Sequence, residues 1–110
     1  MSFNQWLGFK SGDDHATVIL DTRPEHQVMP GTIHFAVLTT LAEVAASQVA
    51  DAAVVPSSVN VQLMRRAKPG RLVGKGILLK KGRRLMVCEG EVRQDDELVA
   101  KATVQFAVIG

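Results

Sequence analysis

The sequence has few of the residues on which several common classes of protein depend. Its 110 residues contain no tyrosine, one tryptophan and one cysteine, Cys88. A single cysteine cannot form an internal disulfide, and cysteine-based zinc sites need several thiolates. A surface that stacks nucleic-acid bases needs aromatic side chains, which are scarce here. The composition therefore fits a reducing compartment and argues against a disulfide scaffold, a zinc module or a base-stacking surface.

Targeting segments and membrane spans are lacking as well. The N-terminal stretch MSFNQWLGFKSGDD has no basic run followed by an apolar core, so we expect no signal peptide. The most apolar run, from Phe35 to Ala50, is too short to span a bilayer and carries Glu43. With 46% hydrophobic residues and a length that suits one modest core, the sequence predicts a single domain over residues 1–110, located in the cytoplasm.

Acidic residues are absent from one stretch of the chain. The net charge is only +2, yet the residues from Arg65 to Arg84 include nine Lys or Arg and no Asp or Glu. A local basic surface on a nearly neutral protein indicates an anionic partner that binds at one place. The alternative is that these side chains are solvated ends of strands and loops.

Apolar periodicity predicts one long helix among strands. A helix is expected from Gly31 to about Asp51, with Thr32 as its N-cap, because its apolar residues recur at a period near 3.6. We expect Arg23–Pro30 to be a loop. Alternation predicts the strands Trp6–Lys10, His15–Thr22, Ser58–Lys68, Leu72–Leu79, Leu85–Arg93 and Leu98–Ile109. These elements pack most simply as an α+β fold in which a curved antiparallel sheet wraps around one helix.

Glu43 is the one charged residue between Phe35 and Ala50. A carboxylate buried alone costs several kcal/mol, so it must be protonated, paired or functional. The residues one or two helical turns away on the same face are small, which leaves room for a ligand or a partner helix. They are Ala36, Thr39, Thr40, Ala46, Ser47 and Ala50. Alternatively, Glu43 lies on an exposed helix edge and the small residues pack at a dimer contact.

His34 stands at the start of the predicted helix. A positive charge is unfavourable there, so we expect a neutral, hydrogen-bonding histidine. The first-turn N–H groups that follow are free to bind an oxyanion or a polarised carbonyl. Glu43 lies about two turns, or roughly 12 Å, further along the helix. One helix cannot bring both to one carbon, so we expect a dimer that shares the site. His15 and His26 are expected on the surface.

Five segments, in order along the chain, resemble the hot-dog-fold acyl-CoA thioesterases. They are LGFK, RPEHQVMPGTIHFAVLTTLAEVAA, VNVQLMRRAKPGRL, KGRRLMVCEGEV and ELVAKATVQFAVI. The chain is most similar to the phenylacetate-pathway and 4-hydroxybenzoyl-CoA thioesterase branch. The resemblance implies the hot-dog fold, in which one long central helix is wrapped by a curved antiparallel sheet. It also implies a homodimer made by joining two sheets edge to edge, or a homotetramer of two such dimers.

The resemblance also implies roles for particular residues. The family signature is Gly-x-x-His-Gly-Gly followed by Leu-Ala-Asp or Leu-Ala-Glu, and Gly31, His34 and Glu43 match it. Glu43 would then be the catalytic carboxylate, acting as a base or a nucleophile, and Ser47 one turn later would assist it. The backbone N–H of Phe35 would polarise the thioester carbonyl, and His34 would be a further catalytic residue. Gly31 would help to bind the substrate.

The chain departs from that signature where the two glycines stand. Phe35 and Ala36 replace them, and Val28 occupies a place that often holds Asn or Gln. Phe35 keeps its N–H but adds a bulky ring at the mouth of the site, which favours an aliphatic or aromatic acyl group. Two functions therefore stay open: an acyl-CoA thioesterase, which needs no metal and no cofactor beyond the substrate's own CoA, or a non-catalytic acyl-CoA binding module.

The basic stretch has a role under either function. CoA carries a 3′-phosphate and a pyrophosphate, which Arg and Lys commonly bind. Arg65 and Arg66 follow one predicted strand, and Arg83 and Arg84 open another, so we expect these four to contact the phosphates. A third and weaker hypothesis is nucleic-acid binding, whose signature would be strong salt dependence. The expected partners are thus acyl-CoA and a second copy of the chain, and neither nucleic acid nor membrane.

Overall fold

A computed structural model describes residues 1–109. The elements are α1 (Phe3–Leu7), β1 (Lys10–Ser11), β2 (Thr17–Asp21), a 3₁₀ turn (Pro24–His26), β3 (Gln27–Met29), β4 (Thr32–Ile33), α2 (Phe35–Gln48), β5 (Val54–Leu63), β6 (Arg71–Lys81), β7 (Leu85–Gln94) and β8 (Glu97–Val108). Six strands form one antiparallel sheet in the order β1-β2-β6-β7-β8-β5, and β3 pairs with β4 separately. The sheet wraps around α2, as the sequence predicts.

Helix α2 packs on the sheet at unusually short range. Leu41, Ala42 and Ala45 are fully buried on the helix face that meets the sheet. Two glycines lie opposite them, because a Cβ on Gly76 would overlap the Ala45 carbonyl and a Cβ on Gly90 would overlap the Ala42 carbonyl. The sheet backbone therefore lies directly against the helix backbone, and only glycine fits at these two positions.

The helix is shorter at both ends than the sequence predicts. It begins at Phe35 with His34 as its N-cap, so the prediction of a start at Gly31 with Thr32 as the cap is wrong. Gly31 instead has φ +82° in the turn between β3 and β4, and Thr32 lies in β4. The helix ends at Gln48 rather than near Asp51.

The N-terminal segment also differs from the prediction. Of the strand expected at Trp6–Lys10, Trp6 and Leu7 lie in helix α1 and only Lys10 lies in a strand, β1. Ser2 and Gln5 form a capping box at the start of the helix. Gly8, with φ +95°, ends the helix in the left-handed conformation. The predicted loop Arg23–Pro30 contains the 3₁₀ turn and β3. The other predicted strands are present with shifted bounds. No helix within residues 1–109 has both the length and the apolar character that crossing a membrane requires.

Strand β5 forms one border of the sheet and pairs on one side only, with β8. Its ten residues, VVPSSVNVQL, carry no charge. Val59 pairs with the buried Val104 and Leu63 with the buried Ala100, so both side chains point toward the helix side of the sheet. Val59 is nevertheless 42% exposed and Leu63 50% exposed. Residues 1–109 thus leave an uncharged strand edge, flanked by apolar side chains, open to solvent.

Cys88 lies in the core of the sheet. It is on β7 and is fully buried against the hydrophobic cluster that surrounds α2. Burial raises the pKa of its thiol above the ordinary value. The one thiol of the chain is therefore protonated and shielded in the folded protein.

Candidate functional site

The start of α2 presents one free N–H group. The His34 Nδ1 accepts the Ala36 N–H at 2.9 Å, and the His34 carbonyl accepts the Val37 N–H at 3.0 Å. An accepting Nδ1 carries no proton, which is consistent with the neutral histidine expected there. Within residues 1–109 the Phe35 N–H has no hydrogen-bond partner. The helix therefore offers an unpaired donor at its N-terminus, at Phe35.

The Phe35 side chain lines a cavity beside that donor. It is 59% exposed and stacks on the His34 imidazole, with ring centroids 4.8 Å apart and planes inclined by 27°. The ring lines a cavity of about 260 Å³. The other lining residues are Ile33, Leu38, Leu63, Arg65, Arg66 and Ala67. The departure from the glycine signature thus places an aromatic ring in an apolar cavity that has two arginines at its border.

Glu43 is half-buried and has no ion-pair or hydrogen-bond partner among residues 1–109. Burial raises the pKa of its carboxyl group above the ordinary value, and no neighbouring charge offsets that shift. The Ser47 hydroxyl does not bind Glu43, because it donates at 2.7 Å to the Val44 carbonyl. The carboxylate is therefore destabilised in its charged form and open to a ligand.

The stripe of small residues around Glu43 is only partly open. Ala46 and Ala50 are fully buried, whereas Ala36 is exposed. Thr40 is half-buried and donates its hydroxyl at 2.7 Å to the Ala36 carbonyl. The most exposed member of the stripe, Ala36, thus lies N-terminal to Glu43 on the side of Phe35, and Ser47 on the other side is half-buried.

One chain does not bring the donor and the carboxylate together. Phe35 and Glu43 are eight residues apart on one straight helix, a separation of about 12 Å along its axis. A reacting carbon needs both within about 3 Å. Gly31 is also away from Glu43, since it forms the exposed β3–β4 turn and donates its N–H at 2.7 Å to the Gln27 side chain.

The four arginines chosen from the sequence fall into two groups. Arg65 and Arg66 follow β5 and line the cavity that Phe35 borders, and Arg65 also forms an exposed ion pair with Glu97. Arg83 and Arg84 lie in the β6–β7 turn, where the Arg84 carbonyl accepts the Val108 N–H at 2.8 Å. Because Val108 pairs with Val54 at the start of β5, this turn lies at the opposite end of β5 from Arg65.

The sequence interpretation misplaced one histidine. His15 is exposed as expected, but the prediction of a surface His26 is wrong, since its side chain is 3% exposed. Its ring lies against α1, which the sequence did not predict as a helix. No local pattern marks such a contact between segments that are distant in sequence.

Comparisons with known proteins agree with this fold. The model of the Thioesterase superfamily matches residues 30–101. A conserved protein of Pseudomonas aeruginosa is 29% identical, with a TM-score of 0.85 over 99% of this chain and 94% of its own. The phenylacetic acid degradation protein PaaI of Thermus thermophilus, solved as a point mutant, is 24% identical, with a TM-score of 0.88 over 97% and 98% of the two chains.

A Bacillus halodurans protein that was solved with CoA is 22% identical, with a TM-score of 0.87 over 96% of this chain and 74% of its own. At this identity the likeness establishes the fold. None of the curated proteins matches the sequence. The hot-dog architecture that the sequence resemblance implied is confirmed.

Proposed function

The chain belongs to the thioesterase superfamily, and from that membership we propose that it hydrolyses an acyl-CoA thioester to a free acid and CoA. The observation that carries the proposal is Glu43, a half-buried carboxylate with a raised pKa and no partner within residues 1–109. An unpaired carboxylate in such a place is unfavourable for stability, and a catalytic base near neutral pH needs a pKa raised in this way.

The chemistry requires a base and an oxyanion donor. Glu43 would take a proton from a water molecule, whose oxygen then bonds to the thioester carbon. Negative charge develops on the carbonyl oxygen, where the Phe35 N–H would donate a hydrogen bond. When the tetrahedral intermediate collapses, the C–S bond breaks and the CoA thiolate takes the proton from Glu43. In the nucleophilic variant, the Glu43 carboxylate bonds to the thioester carbon, the C–S bond breaks and CoA leaves as the thiolate. Water then hydrolyses the resulting anhydride to the free acid and the Glu43 carboxylate, and the proton that this step releases goes to the thiolate.

We propose that a second copy of the chain completes the site. Strand β5 is a ten-residue uncharged edge, and such edges readily pair with another strand. Two-fold pairing of β5 with itself is antiparallel, so the cavity beside Leu63 and Phe35 would face the start of the other copy's β5. The C-terminal half of the other copy's α2, with Glu43, lies on that side. The same pairing would bring Arg83 and Arg84 of one copy toward Arg65 and Arg66 of the other.

CoA is the thiol carrier that these features fit best. The two groups of arginines supply cations for its phosphates, and Arg66, Arg83 and Arg84 have no ion-pair partner within residues 1–109. The related Bacillus halodurans protein was solved with CoA. The apolar cavity of about 260 Å³ beside Phe35 favours an uncharged aliphatic or aromatic acyl group. The four arginines and Gly31 are thus proposed substrate-binding residues, and Ser47 a helper of Glu43.

Thiol release from a panel of acyl-CoAs tests the proposal. Glu43→Gln should lower release at least about a hundredfold, because it removes the base. The matched control is Glu91→Gln, since Glu91 alternates with the buried Gly90 and Val92 and so points away from α2. This control should release thiol at the wild-type rate. Equal release by wild type and Glu43→Gln would show that Glu43 is not the base.

A non-catalytic acyl-CoA binding module is the second candidate. The replacement of both signature glycines by Phe35 and Ala36 favours it. Saturable binding of an acyl-CoA together with no thiol release from any substrate would establish this function instead.

A further inference from the structure

His26 is the one polar or charged side chain that is buried among residues 1–109. Its Nδ1 accepts the backbone N–H of Arg23 at 2.9 Å, and its Nε2 lies 2.7 Å from the Leu7 carbonyl oxygen. A carbonyl can only accept, so Nε2 carries the ring proton and Nδ1 carries none. Both ring nitrogens are thus used, and the contacts select one neutral tautomer.

The side chain and the backbone of His26 bond to distant parts of the chain. The ring bonds to Leu7 at the last turn of α1, nineteen residues earlier in the sequence. The His26 backbone carbonyl accepts the N–H of His34 at 2.8 Å. His34 caps α2 and is followed directly by Phe35. His26 therefore links the end of α1 to His34, and the position of His34 sets the direction of the Phe35 N–H.

A second link holds the same end of α1. The Arg23 guanidinium donates at 2.8 Å to the Trp6 carbonyl and lies 3.5 Å from the His26 Nε2. The residues around the ring also border a cavity of about 280 Å³, which Trp6, Glu25 and Val37 help to line. Arg23 and Glu25 are the charged side chains that line this cavity together with His26. Removing the bond to Leu7 would leave the Arg23 bond as the main polar contact of α1 in this region.

We propose that His26 is a positioning residue, which fixes the Phe35 N–H by tying α1 to the cap of α2. Its catalytic consequence rests on the proposed function, in which that N–H donates to the thioester oxygen. A displacement of His34 would turn the donor away from the substrate carbonyl without removing any group that binds CoA. The expected defect is therefore in kcat, with little change in KM.

Two conservative variants separate the contacts of the ring. In His26→Asn the amide oxygen can reach the place of Nδ1 and keep the Arg23 bond, but no group reaches Leu7. In His26→Gln the amide NH₂ can reach the place of Nε2 and keep the Leu7 bond. We expect kcat for thiol release to fall about tenfold in His26→Asn, with KM within about twofold, and to stay near wild type in His26→Gln.

Two further measurements do not depend on turnover. Trp6 is the only tryptophan and lies on α1. Its side chain is already 61% exposed in the folded protein, so its fluorescence anisotropy, rather than its emission wavelength, reports whether α1 is held in place. Exchange of the His34 amide hydrogen reports the bond to the His26 carbonyl. His26→Asn should lower the anisotropy and speed the exchange about tenfold, and His26→Gln should change neither. A lowered anisotropy with unchanged His34 exchange and unchanged kcat would overturn the proposal.

An exposed site provides a test if the His26 variants do not fold. Arg23→Ala removes the bond to the Trp6 carbonyl and leaves the core intact, so it should lower both the Trp6 anisotropy and kcat. A lowered anisotropy with full kcat would again overturn the proposal. Should the wild-type protein release no thiol, the proposed function fails, and the His34 exchange alone decides whether the link to α1 exists.

Discussion

Gly90 lies directly beneath the carbonyl oxygen of Ala42, with no room for a side chain between the sheet and the helix. The overlap is with backbone atoms, which cannot move aside as a flexible side chain would. We expect Gly90→Ala to lower the free energy of unfolding by about 3 kcal/mol, at the upper end of the cost of overpacking. Chemical denaturation measures this.

The matched control for Gly90 is Thr103→Ala. Thr103 is exposed on the neighbouring strand β8, so its replacement should lower the free energy of unfolding by about 1 kcal/mol or less, the loss of strand propensity. If Gly90→Ala were as stable as this control, the helix could not lie as close to the sheet as the structure shows.

The stability of wild type relative to Glu43→Gln should depend on pH. Burial raises the pKa of Glu43 in the folded state above its ordinary value of 4.5, so the folded protein binds a proton more tightly than the unfolded chain. At low pH Glu43 is protonated in both states, so burying it does not lower the free energy of unfolding. As the pH rises through the raised pKa, wild type loses stability because the buried carboxyl group becomes charged. Gln does not ionise and avoids this loss.

The measurement for Glu43 is the free energy of unfolding of wild type and Glu43→Gln, followed in steps of about 0.5 unit from about pH 3.5 to about pH 8. The two proteins should coincide below the ordinary pKa of glutamate, and the variant should be the more stable at neutral pH. A variant less stable than wild type at neutral pH would mean that the carboxylate has a stabilising partner.

Phe35 contributes a ring and an N–H group, which two substitutions separate. Phe35→Pro removes both, while Phe35→Ala removes the ring alone. Proline suits the first helical position, and His34 before it has an extended backbone with φ −61° and ψ 136°, so the helix should persist. We expect kcat to be lower in Phe35→Pro than in Phe35→Ala by a factor of about 10² to 10³, the usual effect of an oxyanion donor.

Phe35→Ala should instead change which acyl groups are accepted. Without the ring the cavity beside Leu38 and Leu63 is wider, so bulkier acyl-CoAs should gain relative to short ones. Steady-state kinetics with both variants on the same acyl-CoA panel measures this. Equal kcat in the two variants would exclude the Phe35 N–H as the donor.

Complementation between inactive variants tests the shared site. If the donor and the carboxylate come from different copies, a mixed dimer of Glu43→Gln and Phe35→Pro contains one site with both groups intact. Mixing the two after partial denaturation and refolding should restore thiol release to about a quarter of the wild-type level, because half the dimers are mixed and each has one good site. No recovery, with mixed dimers shown by mass spectrometry, would place both groups in one chain.

The sequence predicted the long elements well and the short ones poorly. The apolar spacing of Leu38, Leu41 and Ala45 repeats over several turns, and the strands after Pro56 alternate over ten residues or more, so both patterns stand out. Strands β3 and β4 have three and two residues, too few for an alternation to show. This is why the helix was expected to begin at Gly31.

The sequence predicts which residue types form the candidate site, but it does not predict where those residues lie relative to one another. Glu43 stands out because its neighbours in the helix are uncharged, and its raised pKa follows from the burial that this implies. The burial of His26 depends on a contact with Leu7, which only the tertiary fold creates. Likewise, the spacing of Arg65 and Arg84 along the chain does not indicate that they lie at opposite ends of β5.

Because Cys88 is buried in the core, the reactivity of its thiol measures the fraction of the protein that is folded. A disulfide reagent that detects free CoA also reacts with exposed cysteine thiolates, but the folded chain has its single thiol shielded and protonated. Reagent consumed at the start of an assay, before substrate is added, therefore counts unfolded molecules. Every preparation of a variant can be corrected for its folded fraction in the same cuvette that follows its turnover.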